Sequence, residues 1–309
     1  MSKHILIVGA TLLDMKGKPT AGLAPGTSNP AEIRFTRGGT ARNVAENLAR
    51  LGADVVLISV VGDDIIGQQL VDRTAEAGVN VEHILVARGQ SSGSYMALLE
   101  DDGSLNVAMD DVRVMTHISP AYLEAREALF RDAQVVMMDG SLLPETMQRV
   151  VEMARRHGAR LVADPSSARL AGKLRPYLPF LFLVVPNEAE AAELCECEYD
   201  GFDPDASLDM ARQLVRRGVQ NVVITLSDFG LDYATLDETG YIPPSYSEKV
   251  DSTGTGDAVT AATIFGVLND LPVMESIRLG AAAASLTLQT AETVVPDLSL
   301  DMLYEHLIV

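Results

Sequence analysis

Short, uninterrupted apolar runs alternate along this sequence with longer segments of helical periodicity. The apolar runs lie at 4–8, 55–61, 133–138, 160–163, 181–185 and 221–226. Helical patterns lie between or after them at 41–51, 68–77, 144–156, 208–217, 255–268 and 273–290. Strands that read as continuous apolar runs are buried on both faces. The alternation therefore predicts an α/β fold with a mostly parallel central sheet and helices on both of its faces.

Two segments, at about 15–37 and 92–110, interrupt this alternation. The first is rich in Gly, Pro, Thr, Ser and Asn and ends in a short alternating strand, whereas the second has the pattern of a β-hairpin around an Asp-Gly turn. Neither fits a strand–helix unit. Both are predicted to form a small β-strand lid over the strand ends, where open α/β sheets bind ligands. No linker divides the chain, so residues 1–309 are predicted to form a single domain.

The charge balance limits the classes of partner. The chain carries 24 Lys and Arg against 43 Asp and Glu, a formal net charge of −19. Nucleic acids and anionic membranes attract basic surfaces, so neither is predicted as a partner. The N-terminus lacks the pattern of a signal peptide, and no apolar run approaches the ~20 residues of a membrane span. Cys195 and Cys197 are interpreted as reduced thiols, so a cytoplasmic protein is predicted. The formation of a homodimer is left open.

The strongest chemical signal is the stretch 251–258, which reads DSTGTGDA and precedes an apolar helix. The glycines Gly254 and Gly256 allow a tight turn, and the helix start directs unpaired amides and its positive dipole end at one point. Such an anion hole suits the charge on a transferring phosphoryl group. Asp257 lies in the first turn, where it can accept a proton from an attacking hydroxyl. The alternative is a glycine-rich helix cap in which Asp257 only complements the dipole.

Two further signals lie near the N-terminus. Gly38 and Gly39 precede a second helix, and Asn43 follows one turn into it. Glycine allows close approach of a ligand, and an Asn amide both donates to and accepts from vicinal hydroxyls. Asp14 follows the first predicted strand, where a carboxylate can accept hydrogen bonds from a sugar. Asp139, at the end of the strand 133–138, is a weaker candidate for the same role.

Taken in chain order, these features resemble the ribokinase-like family, also called the phosphofructokinase-B-type carbohydrate kinases. The resemblance covers nearly the whole chain. It includes the segment 186–190, PNEAE, which matches the family's asparagine–glutamate motif, and the strand end at 225–227 with Gly230. The family implies a ribokinase-like fold and ATP-dependent phosphorylation of a hydroxyl on a sugar or nucleoside, a small-molecule substrate. No Walker phosphate loop is present, and none of the five histidines lies in a signature.

The resemblance implies a role for each matched residue. Asp257 would be the catalytic base, with the backbone of Gly254, Thr255 and Gly256 forming the anion hole. The other implied roles are acceptor binding (Asp14, Gly38, Gly39, Asn43, Asp139), ATP binding (Asn187, Thr225, Ser227, Gly230), Mg²⁺ binding mainly through water (Glu190, Asn187), and K⁺ binding by backbone oxygens (Asp251, Thr253). Two positions depart from the family pattern: Thr255 stands where alanine is usual, and Ser227 stands where glycine is frequent.

Within the family, the regions 28–43 and 95–111 resemble the pseudouridine kinase branch, which implies the 5′-hydroxyl of pseudouridine as acceptor. The polar edge of the base would then meet Ser28, Asn29, Arg42 or the lid hairpin. A kinase for ribose or another nucleoside is the alternative. Two other classes are disfavoured: a non-catalytic sugar-binding regulator, because Asp257 is intact, and a dinucleotide-dependent oxidoreductase, because no GxGxxG follows the first strand.

Overall fold

The computed structural model describes residues 3–100, 105–244 and 249–307. The strands in these ranges are β1 (His4–Val8), β2 (Leu12–Pro19), β3 (Ala31–Gly38), β4 (Val55–Gly62), β5 (Ile84–Ala87), β6 (Gly93–Leu99), β7 (Leu105–Asp111), β8 (Ala133–Asp139), β9 (Arg160–Asp164), β10 (Leu183–Val184), β11 (Asn221–Thr225), β12 (Leu231–Thr235) and β13 (Thr239–Ile242). The α-helices are α1 (Thr40–Arg50), α2 (Ile65–Glu76), α3 (Pro120–Glu124), α4 (Glu127–Asp132), α5 (Pro144–His157), α6 (Ala168–Ala171), α7 (Glu188–Cys195), α8 (Pro204–Arg216), α9 (Thr255–Leu268), α10 (Val273–Leu288) and α11 (Leu300–Glu305). Short 3₁₀ helices lie at Arg113–His117, Gly172–Phe180 and Ser227–Phe229.

Among the described residues, nine strands form the main sheet in the order β13-β12-β11-β10-β9-β8-β1-β4-β5. The strands from β11 to β5 are parallel, and β12 and β13 add an antiparallel edge. The predicted α/β fold is confirmed, although the antiparallel edge was not predicted. The predicted strand 181–185 is reduced to the two residues of β10. Helix α2 begins at Ile65, earlier than predicted, because Asp64 Oδ1 accepts the amide of Gly67 at 2.7 Å and caps it.

The buried runs divide the core between the two faces of the sheet. In β1, Leu6 and Val8 join one buried cluster, whereas Ile5 and Ile7 join the other. Helices α5, α7 and α8 cover the first face, and α1, α9 and α10 cover the second. Helix α9 has no polar face, so it must be buried all round, and small residues allow α10 to pack closely against it. This packing holds the N-terminus of α9 at the carboxyl edge of the sheet.

The predicted lid is confirmed as a separate four-stranded sheet in the order β3-β2-β6-β7. The Asp-Gly turn of its hairpin lies outside the described residues. Asp14 follows the first strand of the main sheet, as predicted, but it lies within the lid strand β2. The register places Asp14 beside Thr36 on β3 and Tyr95 on β6, and Tyr95 beside Asp110 on β7. This row faces the main sheet.

The opposite face of the lid is apolar and exposed. Successive side chains of a strand point to opposite faces, so the neighbours of the Asp14 row form an outer row of apolar residues. Its exposed members include Phe35, at 62% exposure, Met96 and Met109, with Ile33, Leu105 and Val107 in the adjoining positions. A large exposed apolar patch of this kind is typical of a surface that another molecule covers.

No helix in the described part of the chain is both long and apolar enough to cross a membrane.

Candidate active site

A cleft of about 610 Å³ lies between the lid and the carboxyl ends of the parallel strands. Most of the residues that the sequence singled out line it. These are Asp14, Gly39, Asn43, Asn187, Glu190, Thr225, Ser227, Gly230, Thr253, Gly254, Thr255, Gly256 and Asp257. Gly38, Asp139 and Asp251 do not. The structure thus brings residues from five separate regions of the sequence to one edge of the sheet, where ligands of open α/β sheets bind.

The turn before α9 has the geometry of an anion site. Gly254 has φ 84°, and a Cβ there would collide with the carbonyl oxygen of Thr293, so the turn itself requires glycine. A Cβ at Gly256 would meet nothing within 4 Å, so there glycine leaves open space above the helix start. The Thr255 hydroxyl donates to the carbonyl oxygen of Ser252 at 2.8 Å. The departure from alanine at Thr255 is therefore accommodated by a local hydrogen bond.

Asp257 lies in the first turn of α9 and faces this space. Its Oδ2 accepts a hydrogen bond of 2.6 Å from Nδ2 of Asn43 on α1. Burial raises the pKa of Asp257 to about 7. The Asn43 bond and the guanidinium of Arg42 oppose this rise, and the carboxylates of Asp14 and Asp139 add to it. A carboxylate with a pKa near neutrality is suited to accept a proton and release it again.

The amide orientation of Asn43 is determined by Arg42. Asn43 Oδ1 accepts from the Arg42 guanidinium and from Thr293 Oγ1, which leaves Nδ2 to donate to Asp257. Arg42 is only 1% exposed and also donates to Glu46 and to the carbonyl oxygen of Gly38. Arg42 was one of the alternatives for contact with the base of the acceptor, but its guanidinium is buried and engaged within the protein, and it does not line the cleft.

Asp14 faces the cleft from β2 and is 5% exposed. Burial raises its pKa to about 6, and Lys16 and Arg42 limit the rise. Gly38 lies against it, because a Cβ at Gly38 would collide with the Asp14 carboxyl group. Gly39 has φ 91°, and a Cβ there would collide with the carbonyl oxygen of Ala10. Both glycines are thus required by the protein's own packing, and Gly38 acts by making room for Asp14.

Asp139 lies below the cleft floor rather than on it, with none of its surface exposed. Its Oδ2 accepts the amides of Ala10 at 2.7 Å and Ala41 at 3.2 Å, and its Oδ1 accepts the amide and hydroxyl of Ser141. Burial raises its pKa. These bonds join the ends of β1 and β8 to the start of α1, so Asp139 supports the residues that line the site.

A group of carboxylates occupies the middle of the cleft. Asn187 and Glu190 form a reciprocal cap at the start of α7, with Asn187 Oδ1 accepting the Glu190 amide at 2.9 Å and Glu190 Oε2 accepting the Asn187 amide at 2.8 Å. Burial and then Asp257 raise the pKa of Glu190 to about 7. Asp164, at the end of β9, has a pKa raised well above its usual value by burial, Asp257 and Glu190. The mutual repulsion of these groups favours a cation among them.

The far end of the cleft is built by β11 and its turn. Thr225 ends β11, and its amide donates to the carbonyl oxygen of Pro186 at 2.9 Å, which aligns the strand end with Asn187. Ser227 has φ 52°, in the left-handed region that favours glycine. This explains why glycine is frequent there in the family. At Gly230, φ is 92° and a Cβ would collide with the carbonyl oxygen of Ile242.

The loop before the anion hole carries a partly buried ion pair. Lys16 Nζ donates to Asp251 Oδ2 at 2.6 Å and to Thr253 Oγ1 at 2.5 Å. Burial opposes ionisation of Asp251, yet the Lys16 bond and the Thr253 amide lower its pKa. The side chains at the predicted K⁺ positions are thus already engaged by an ammonium.

Sequence reasoning missed several residues that line the cleft. Asp164 could have been found as a carboxylate directly after a buried strand, the same signal that singled out Asp139. The lid hairpin, which the sequence offered as one contact for the base, does line the cleft through Tyr95 and Asp110, whereas Ser28 and Asn29 do not. The Asn29 side chain instead bonds the backbone of Ala24.

The comparisons with known proteins agree with this geometry. Residues 2–299 match the family described as pfkB family carbohydrate kinase. The pseudouridine kinase of Escherichia coli (strain K12) is 30% identical over 298 residues, which cover 96% of this chain and 94% of that protein. The ribokinase of Arabidopsis thaliana, solved with ribose and ATP, superposes with a TM-score of 0.85 at 20% identity over 100% of both chains. An Escherichia coli protein assigned as ribokinase II, solved with ATP and Mg²⁺, superposes with a TM-score of 0.82 at 19% identity over 99% of both chains.

Proposed function

The chain belongs to the pfkB family of carbohydrate kinases, and from this premise we propose that it transfers the γ-phosphoryl group of ATP to the 5′-hydroxyl of pseudouridine. Asp257 is the base, and the turn 254–256 is the anion hole. The observation that carries the proposal is the position of Asp257. It lies in the first turn of α9, beside open space at Gly256, with a pKa of about 7 and a hydrogen bond from Asn43.

The acceptor is held between the lid and α1. Asp14 accepts hydrogen bonds from two ribose hydroxyls, and Asn43 contributes its amide beside them. The acceptor's primary hydroxyl then replaces the Asn43 amide as the group that Asp257 Oδ2 contacts. Asp257 takes the hydroxyl proton as the oxygen attacks the γ-phosphorus and the bond from that phosphorus to the leaving ADP oxygen breaks. The amides at the start of α9 stabilise the negative charge on the transferring group. Positioning and electrostatics carry phosphoryl transfer, so no covalent enzyme intermediate is needed.

The amide of Thr255 donates within the turn to the carbonyl oxygen of Ser252 at 3.3 Å. The first amides of a helix have no carbonyl partner within it. We therefore expect the amide of Gly256 to be the principal donor to an anion, which agrees with the open space above that residue.

The nucleotide lies toward β11, against Thr225, Ser227 and Gly230. Mg²⁺ fits the carboxylates of Glu190 and Asp164, whose raised pKa values reflect crowded negative charge. In the described ranges, no group of three acidic, His or Cys side chains is placed to hold a metal ion. Mg²⁺ keeps several water ligands, so we expect few direct protein ligands. When bound, Mg²⁺ neutralises phosphate charge. K⁺ at the backbone oxygens of Asp251 and Thr253 stays a prediction.

Two observations favour pseudouridine as the acceptor. The first is the 30% identity to a pseudouridine kinase across nearly the full length of both chains. The second is the pair Tyr95 and Asp110, which extend the Asp14 row across the lid into the cleft. Pseudouridine presents one more ring N–H than uridine, and the Asp110 carboxylate is an acceptor that can distinguish them. A ribose or other nucleoside kinase of the same family is the second candidate.

The test is kcat/KM for pseudouridine, uridine, adenosine and ribose with ATP and Mg²⁺, measured on the wild type and two variants. Asp110→Ala should lower kcat/KM for pseudouridine roughly tenfold and leave uridine nearly unchanged, because it removes one hydrogen bond to a charged acceptor. Asp111→Ala is the matched control, since Asp111 instead binds Arg113 at 2.6 Å. If ribose or adenosine is the better substrate of the wild type, pseudouridine is the wrong acceptor and only the broader kinase activity stands.

A further inference from the structure

Lys16 is a buried lysine on the cleft side of the lid. It is 7% exposed, and its ammonium donates to Asp251 Oδ2 at 2.6 Å and to Thr253 Oγ1 at 2.5 Å. Asp251 in turn accepts the amide of Thr253 through Oδ1 at 2.9 Å. The lysine, the aspartate and the threonine thus form a closed network that joins strand β2 to the loop immediately before Gly254.

Stability alone does not explain a lysine at this position. Burying an ammonium is costly unless it is paired and hydrogen-bonded, and an apolar pair of similar volume is often as stable as a buried ion pair. Lys18, two residues further along the same strand, is exposed to solvent. Lys16 therefore carries a charge inside the protein at a point where a neutral side chain would avoid the cost of desolvation.

The position of Lys16 links the two halves of the proposed reaction. Asp14 lies two residues earlier on β2, so both side chains point to the same face of the lid. Asp251 and Thr253 lead directly into the anion-hole turn 254–256. The Lys16 contacts to Asp251 and Thr253 therefore join the strand that carries Asp14 to the loop that leads into the anion-hole turn.

We infer that Lys16 is a positioning residue that couples the acceptor strand to the anion hole. Its ammonium holds the loop 251–253 against β2, so that the hole is in place when the acceptor is bound by Asp14. The inference rests on the proposed function, because it assigns the acceptor to Asp14 and the phosphoryl group to the turn 254–256.

The test uses three variants. Lys16→Met keeps the approximate length of the side chain and removes its charge, whereas Lys16→Arg keeps the charge. Lys18→Met is the matched control. Lys16→Met should lower kcat roughly ten- to a hundredfold, the range for loss of a hydrogen bond to a charged group. The KM for ATP should change far less than kcat. Lys16→Arg should recover most of the loss, and Lys18→Met should match the wild type in all parameters.

Two results overturn the inference. One is a Lys16→Met enzyme whose kcat stays within about twofold of the wild type, which is too small for a lost charged hydrogen bond. The other is equal loss of kcat and of thermal stability in Lys16→Met and Lys16→Arg, which indicates a purely structural role.

A double-mutant cycle with Asp251→Asn tests whether the effect of Lys16 on kcat depends on its contact with Asp251. If Lys16 acts through Asp251, kcat of the double variant should be no lower than that of the worse single variant, whereas multiplicative losses overturn the coupling.

Phosphorylation of any nucleoside or sugar by the wild type is measured first. A wild type that phosphorylates none of them contradicts the proposed function itself, whereas normal turnover with an unaffected Lys16→Met variant contradicts only the inference.

Discussion

Removing the Asn43 amide should shift the pH at which the enzyme loses activity. Asn43 Nδ2 donates to Asp257 Oδ2 at 2.6 Å, and this bond holds the pKa of Asp257 below the value that burial alone would give. Asn43→Ala deletes the donor and leaves the carboxylate buried. The ionised form of Asp257 is then less stable, so the pKa of Asp257 should rise above its wild-type value of about 7.

The size of the shift follows from the strength of the bond. A hydrogen bond to a charged group contributes about 1.5–3 kcal/mol, and one pKa unit corresponds to about 1.4 kcal/mol. The pKa of Asp257 should therefore rise by about one to two units. At pH 7 about half of the wild-type Asp257 is ionised, because its pKa is about 7. In the variant this fraction should fall to roughly a tenth or a hundredth.

The assay is kcat/KM for the acceptor at saturating ATP between about pH 5.5 and 9.5, because this ratio reports the pKa values of the enzyme–ATP complex before the acceptor binds. Activity needs ionised Asp257, so it is lost as the pH falls. The acidic limb should move upward in Asn43→Ala. Asn47→Ala is the control, since Asn47 donates to the Asn43 carbonyl oxygen and not to Asp257. An acidic limb that stays in place in Asn43→Ala would refute the assignment of Asp257 as the titrating base.

Three further predictions concern the acceptor site and the lid. Asp14→Ala should weaken acceptor binding far more than ATP binding, by roughly 1–3 kcal/mol for unmatched hydroxyls, and equal changes in the two dissociation constants would place Asp14 outside the acceptor site. The segments 15–37 and 92–110 should both gain protection from hydrogen exchange on acceptor binding as the lid excludes water, and unchanged protection at saturation would rule out closure. If the apolar outer face of the lid joins two copies, Phe35→Glu should convert a dimer to a monomer in sedimentation. The control Leu236→Glu, on another exposed surface, should leave the dimer intact. A wild type that sediments as a monomer would contradict the homodimer.

The sequence predicts the parallel part of the fold well because burial on both faces leaves a clear pattern. The runs that became β1, β4, β8 and β11 are almost wholly apolar. The antiparallel edge is harder to recognise, because β12 places Asp232 in a buried position and β13 is short and half exposed. Its placement depends on pairing with β11, which is a tertiary contact.

In the candidate site, too, some residues could be predicted from local sequence patterns and others could not. The turn 254–257 is recognisable because glycines before an apolar helix have a strong local signature. By contrast, the position of Asp14 within a lid strand was not predicted, since nothing in the sequence shows that a strand of the second sheet begins at Leu12. Arg42 bonds Thr293 beneath the cleft, and Lys16 bonds Asp251. The two residues of each pair lie more than 200 positions apart, so no local pattern could indicate these contacts.

The most direct test of the account is kcat of Asp257→Asn together with its ATP dissociation constant. The substitution keeps the shape of the side chain and removes the base, so kcat should fall by about 10²–10⁴-fold, the range for loss of a general base, while ATP binding stays nearly intact. Retention of more than about a tenth of wild-type kcat would contradict the assignment of Asp257 as the catalytic base.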